Sequence, residues 1–290
     1  MAIFSPAEFL SRHLEGLIED RFTAHYGNTE GPLLGLMKDA LTTSMEIING
    51  TDALYHNCEH TVMVSLAGQD ILAGKIALGD QVSAQQWATY VISLLFHDVG
   101  YIKRLLPGDT VDHVVVDQSG ATQTLPHGAT DAALTLFHVD RGMAFVAQKY
   151  ASCRLLDVSA ILENIENTRF PPPAQVLAAP CSRTRWPDMV RAADLIGQLA
   201  EPNYLQKLPA LYEEYVECGT AQSMGLQDYR DLLIKFPEFF SKVVSNLVAE
   251  AFDALAAAPD GARWRESLDR SLAFCRAIGA GSGEGGPVNA

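Results

Sequence analysis

Apolar residues recur along this chain at three- and four-residue intervals, a pattern that predicts helices almost throughout. The segment "SPAEFLSRHLEGLIEDRFTAHYG" opens with Ser5 three residues before Glu8 and with Pro6 at the first helical position, a capped start. Phe9, Leu10, His13, Leu14, Leu17 and Ile18 form its apolar face, and Gly27 ends it. His13 on that face is expected to pack or cap. A second helix follows in "PLLGLMKDALTTSMEIING". "SAQQWATYVISLLFHD" is apolar on nearly every side, which places it at the centre of a core. "DVSAILENIENT" carries Val158, Ile161, Leu162 and Ile165 in one stripe behind a capping Asp157. "WPDMVRAADLIGQLAE" and "PEFFSKVVSNLVAEAFDALAAA" each start at a proline, and "GARWRESLDRSLAFCRAIG" closes at Gly279. Residues 279–290 have little to bury and are expected to be disordered.

One stretch breaks the helical period. Residues 108–128, "GDTVDHVVVDQSGATQTLPHG", combine a β-branched run, a Ser-Gly turn and a Thr-rich arm, and predict a short β-hairpin. No repeat or linker divides the chain. One helical domain is expected over residues 1–278, with its core over 50–200 and a helical extension over 201–278.

Composition narrows the partners. With 290 residues, 48% of them hydrophobic, the chain can bury a large core. No uninterrupted apolar run reaches the roughly 18 residues of a membrane span. The 35 acidic and 21 basic residues give a net charge of −14, which argues against nucleic acid or an anionic membrane as partner. A small phosphorylated ligand held by a few local cations is compatible with it. The N-terminus has no basic region ahead of an apolar core, and the five cysteines (58, 153, 181, 218 and 275) form no CxxC pair. Reduced thiols and a cytoplasmic location are expected.

Candidate chemistry gathers at three places. "YHNCEH", residues 55–60, sets His56 and His60 four residues apart, so both imidazoles are expected on one helix face. "LLFHDVGY" puts His97 and Asp98 at the end of an apolar run, and Asp194 lies among Ala192, Ala193, Leu195 and Ile196. Buried carboxylates without partners are costly, and a cation would resolve the cost. His60, His97, Asp98 and Asp194 would offer two nitrogen and two oxygen ligands, a set suited to Mn, Fe, Co, Ni, Zn or Mg.

The ordered set "YHNCEH", "LLFHDVGY" and "VRAADLIG" resembles the HD-domain superfamily of metal-dependent phosphohydrolases, over roughly residues 50–200. The resemblance implies an all-α HD-domain helical bundle, with the hairpin as an insertion and extra N- and C-terminal helices. YHNxxH is similar to a motif of the cyclic-nucleotide phosphodiesterases. It implies His60 as ligand and His56 as proton donor to the leaving oxygen, with Asp98 both ligating and orienting the attacking water. An orienting or capping His56 is the alternative. "FHVDRGMAFV" places His138 four residues before Gly142, similar to the HD-GYP branch, where a histidine serves a second ion. The next helix holds Asn164 and Ile165 where that branch has histidines, with Glu166 as a substitute ligand; one or two ions per chain stay open.

Lys103, Arg104, Arg141 and Arg191 are candidates for holding a phosphate, as is Arg169, and Arg191 can alternatively pair with Asp194. His127 ends the hairpin, where it could line the site mouth; His113 and His25 are expected at the surface. Cys58 should point away from His56 and His60. The expected function is hydrolysis of a phosphate mono- or diester, of a nucleotide or other small phosphorylated metabolite, by metal-activated water. The alternatives are an HD-fold di-iron oxygenase and a non-catalytic metal-stapled sensor or binding module. A homodimer is compatible with all three, and the hairpin is expected to cover the pocket.

Overall fold

The computed structural model describes residues 5–281 and is all-α apart from one small hairpin. Two N-terminal helices, α1 (Pro6–Tyr26) and α2 (Gly31–Ile48), precede α3 (Cys58–Ala77) and α4 (Ala84–Phe96). The hairpin strands β1 (His113–Val115) and β2 (Thr122–Thr124) follow, then α5 (His138–Lys149), α6 (Val158–Glu166) and the short α7 (Ala174–Ala178). Helix α8 (Trp186–Leu199) completes the central part. The rest is α9 (Tyr204–Glu217), α10 (Thr220–Ser223), α11 (Tyr229–Phe239), α12 (Ser245–Ala257) and α13 (Ala262–Gly281). Among the described residues no helix is long and apolar enough to cross a membrane.

Helix α3 is the axis. Asn57 caps it, accepting hydrogen bonds from the backbone N–H groups of Glu59 and His60 at 2.9 and 3.4 Å. It is buried on nearly every side, between α8 and α12, with α1 and α4 against it. Helix α4 starts in a full capping box between Ser83 and Gln86 and is buried at every described position but the two glutamines. Phe96 near its end is fully buried, and trimming it to Ala would cost about 3–5 kcal/mol. One apolar cluster runs from Leu14 on α1 to Cys275 on α13.

Two glycines set close approaches. A Cβ on Gly197 of α8 would lie 2.6 Å from the Cα of Val64 on α3, so these helices touch backbone to backbone. A Cβ on Gly100, in the 3-10 turn Val99–Tyr101 after α4, would lie 1.8 Å from the His138 carbonyl oxygen. Only glycine lets that turn pack on the start of α5.

The hairpin pairs His113 with Thr124, Val114 with Gln123 and Val115 with Thr122, antiparallel. Val114 is fully buried against Leu125 and Leu134, in a small cluster of its own. Two boundaries differ from the sequence pattern. Pro237 does not begin a helix: α11 starts at Tyr229 behind the Asp228 cap, contains Pro237, and passes through a π-helical turn at Phe240–Val244 into α12. Pro237 removes an N–H from the helix ladder of the turn before it, and the π-helical turn begins three residues after it. Helix α13 continues through Gly279 to Gly281, because glycine costs a helix about 1 kcal/mol without forbidding it. The remainder of the expected disordered tail, residues 282–290, lies outside the described residues.

Candidate metal centre

Three core helices converge on one point. His60 comes from the first turn of α3, His97 and Asp98 from the end of α4, and Asp194 from α8. Asp98 Oδ2 lies 3.2 Å from His60 Nε2 and 3.1 Å from His97 Nε2. Asp194 Oδ1 lies 3.5 and 3.7 Å from the same two nitrogens, which are 3.3 Å apart. Ligand atoms bonded at about 2.1 Å to one ion sit roughly 3.0–3.4 Å from each other, so this cluster has the spacing of a coordination shell. His60, His97 and Asp194 form one group able to hold a cation, and His56, His60 and Asp98 form another.

The protonation pattern also suits a cation. His97 Nδ1 donates to the Leu94 carbonyl at 2.7 Å, so its Nε2 carries the bare lone pair. His138, the first residue of α5, does the same with Thr135 at 2.6 Å, and its Nε2 faces Asp98 Oδ1 at 3.7 Å. Asp98 Oδ2 is buried and accepts no hydrogen bond. An orphaned carboxylate oxygen facing imidazole lone pairs fits a divalent ion of the Mn-to-Zn type. Without an ion, protons take its place. Burial alone would lower the His60 pKa, but the neighbouring Asp194 and Asp98 carboxylates outweigh it and hold the imidazole at about 10. Burial would raise Asp98, yet the neighbouring His97 and His60 imidazoles hold it well below the usual carboxylate range. Burial pushes His138 down, towards the neutral form.

His56 stands beside this cluster, on the loop before Asn57 and not on α3, so the two histidines do not share a helix face as their spacing suggests. Their rings are still 5.3 Å apart. Glu214 of α9, itself buried, holds His56: Oε2 meets Nδ1 at 2.5 Å, while Oε1 accepts the backbone N–H groups of Tyr55 and His56 at 2.6 and 3.2 Å. The His56 pair and charge keep Glu214 low despite burial, which would raise it. Tyr101 lies flat between two imidazoles, 4.4 Å from His56 and 4.3 Å from His138. Side-chain exposure locates the open side: His56 and His138 are 14% exposed and Asp194 18%, against 3% for His60 and 1% for His97.

Several other sequence candidates are not at the centre. Glu166 ends α6 at the surface, where Arg169 grips it at 2.8 Å and also binds Asp140. The inward position is Asn164, buried and donating to Ser93 Oγ at 2.9 Å. Arg141 is fully buried as a clamp, donating to the carbonyls of Gly100 and Ile102 at 2.8 and 2.7 Å and pairing with Asp109 at 3.0 Å. It also binds the Val115 carbonyl, which ties β1 to the turn after Asp98. Arg191 is buried against Asp188 at 2.9 Å and Asn167 at 3.2 Å, not against Asp194. Lys103 Nζ donates to the Ala129 carbonyl at 2.6 Å. Arg104 is exposed at a left-handed φ of 63° and makes no ion pair among the described residues. His127 is 99% exposed, near Asp112. Cys58 is buried towards the Met45 carbonyl, away from His60 as expected.

Sequence reasoning missed Glu214 and Tyr101. Glu214 had a signal: it follows Leu208 and Leu211 at helical spacing, a carboxylate on a buried stripe like Asp194. Residues 4–275 match a family model described as Npun_R2479-like. The chain belongs to this family. The match runs from before α1 into α13, so the family unit of this Npun_R2479-like chain includes the His/Asp cluster, the hairpin and the C-terminal helices. No curated protein matches the sequence.

Proposed function

We propose that the protein is a metal-dependent phosphohydrolase of the HD-domain type, acting on a phosphate mono- or diester of a nucleotide or similar small metabolite. The observation that carries the reading is the His56–Glu214 pair at 2.5 Å beside the ligand cluster. A cation that only staples helices has no use for an adjacent imidazole held by a dedicated buried carboxylate. His60, His97, Asp98 and Asp194 would hold a divalent cation, which would supply Lewis-acid polarisation and acidify a water. Glu214 fixes the proton of His56 on Nδ1 when the ring is neutral, so Nε2 is the atom that exchanges protons with substrate. Protonated there, His56 donates to the departing oxygen. Asp98 would orient the attacking water by accepting its hydrogen bond. His138 on the open side is a ligand for a second ion or a contact to the phosphoryl group.

Arg141, Arg191 and Lys103 are committed to structural partners, so they do not serve the phosphate. The cation and the imidazoles must meet its charge, which favours substrates of low charge such as diesters. The di-iron oxygenase alternative expects another histidine where Asn164 is spent on Ser93. The test is metal analysis of the purified protein together with a hydrolysis screen of bis(p-nitrophenyl) phosphate, p-nitrophenyl phosphate and mono- and dinucleotides. The expected result is stoichiometric transition metal and metal-dependent hydrolysis of at least one diester. Metal without hydrolysis of any phosphoester, or dioxygen consumption by the iron-loaded protein, would overturn it.

A further inference from the structure

A cavity of about 460 Å³ lies away from the His/Asp cluster, between α1, α3 and α13. It shares no lining residue with the cluster. Its apolar lining is Leu17 of α1, Met63 and Leu66 of α3, Ala200 and two prolines. Its rim is cationic. Arg21, Arg263 and Arg270 line it, with Asp260 as the one carboxylate among the lining residues. In a chain with a net charge of −14 and 21 basic residues, three guanidiniums at one cavity are out of proportion.

Part of this charge has a structural explanation. Asp70, buried on α3, accepts from Arg21 Nη2 at 2.7 Å, Arg263 Nη2 at 2.8 Å and Trp264 Nε1 at 2.8 Å. One carboxylate needs one positive charge, and it receives two. Each guanidinium also has donors to spare. Arg21 Nη1 is buried without any acceptor, and Arg263 is 57% exposed beyond its bond to Asp70. Arg270 is exposed on the same wall and forms no ion pair among the described residues. Ser267, buried between Arg263 and Arg270 on α13, adds a hydroxyl to the lining.

We infer that this cavity binds a small amphipathic anion, one carboxylate, sulfonate or phosphate group on an apolar body. The anionic group takes the spare donors of Arg21, Arg263 and Arg270, and the apolar body lies on Leu17, Met63 and Leu66. The cavity has the size of a small-molecule site and the mixture of apolar wall and few converging polar groups that such sites use. Its walls join the N-terminal helix to the last one, so a bound anion would hold both ends of the fold to α3. The site is independent of the reading of the metal centre.

The probe is naphthalene-2-sulfonate, which carries no phosphoester and is a poor metal ligand; naphthalene-2-sulfonamide is its neutral counterpart. Calorimetric titration of the full chain should show one sulfonate bound, at least tenfold tighter than the sulfonamide, with or without excess EDTA. Saturating sulfonate should raise Tm. Arg270→Gln, at an exposed position, should keep the circular dichroism and Tm of the unliganded protein while weakening the sulfonate about tenfold. Arg270→Lys should recover part of the loss. Leu66→Trp, which fills the cavity, should remove binding of both probes. Absence of binding, equal affinity for the two probes, or an affinity unchanged in Arg270→Gln would overturn the inference. The Arg270 variants decide it even if Leu66→Trp fails to fold.

Discussion

His56 and Glu214 meet across 158 residues of chain, Nδ1 to Oε2 at 2.5 Å, and the same carboxylate anchors the backbone of Tyr55 and His56. The pair couples α9 to the loop before α3, so the helices after Asp194 help to build the site.

Removing either partner should expose that coupling. His56→Ala should keep the metal content and lower turnover by about 10²–10⁴-fold, the range of a general acid. Glu214→Gln should lower it less, and the double variant should be no slower than His56→Ala. Rates on a p-nitrophenyl ester should suffer least, because its leaving group needs no proton. Losses that multiply in the double variant would mean the two residues act separately.

The ligand cluster predicts metal loss by position. His60→Ala, His97→Ala, Asp98→Ala and Asp194→Ala should each lower bound metal, measured by elemental analysis, and abolish turnover. His138→Ala should retain one ion. If the native protein holds two ions per chain and this variant still holds two, His138 is not a ligand.

Chelated protein should lose stability at alkaline pH. The His60 imidazole titrates near 6.5 when unfolded and at about 10 in the fold, where Asp194 and Asp98 outweigh burial. Its stabilising contribution is therefore complete below pH 6.5 and disappears as pH rises through about 10. Tm of EDTA-treated protein should fall across that window, and by less in Asp194→Asn. Metal-loaded protein should show a flatter profile, since the ion replaces the proton.

The clamp beneath the hairpin should matter more to folding than its strands do. Arg141→Met leaves Asp109 buried without its cation and should cost about 3–5 kcal/mol in urea denaturation. Replacing residues 112–124 by a Gly-Ser linker removes the Val115 backbone that Arg141 and Asp109 bind, but keeps their ion pair. It should preserve the helical signal and metal content while changing KM and the substrate profile; an unaltered profile would put the hairpin outside the pocket.

The clustering of His60, His97, Asp98 and Asp194 was legible for an energetic reason. Asp98 and Asp194 stand in apolar sequence, where a carboxylate demands a partner, and the histidines supply one. The same reasoning applied to Glu214 would have found the third carboxylate of the site. Arg141 was misjudged because its acceptors are largely backbone carbonyls of Gly100, Ile102 and Val115, which no side-chain pattern reveals. Glu166 and Asn164 differ only in helix phase, two residues apart, and the phase that faces inward was set by packing of α6 on α4. His56 was placed on the helix because Asn57, the cap, falls between the two histidines of the motif.

Gly197 gives the centre a fixed gauge. It lies three residues from Asp194, and the Val64 backbone it touches lies four from His60. With the two backbones already in contact, the gap between these ligands is set by main chain, which yields less than a side chain does. A cation held there would be selected by radius. The site should accept ions with bonds of about 2.0–2.2 Å and discriminate against Ca²⁺, whose bonds are about 2.3–2.6 Å. Gly197→Ala, by wedging α3 from α8, should shift that preference towards larger ions, as competitive metal titrations would register.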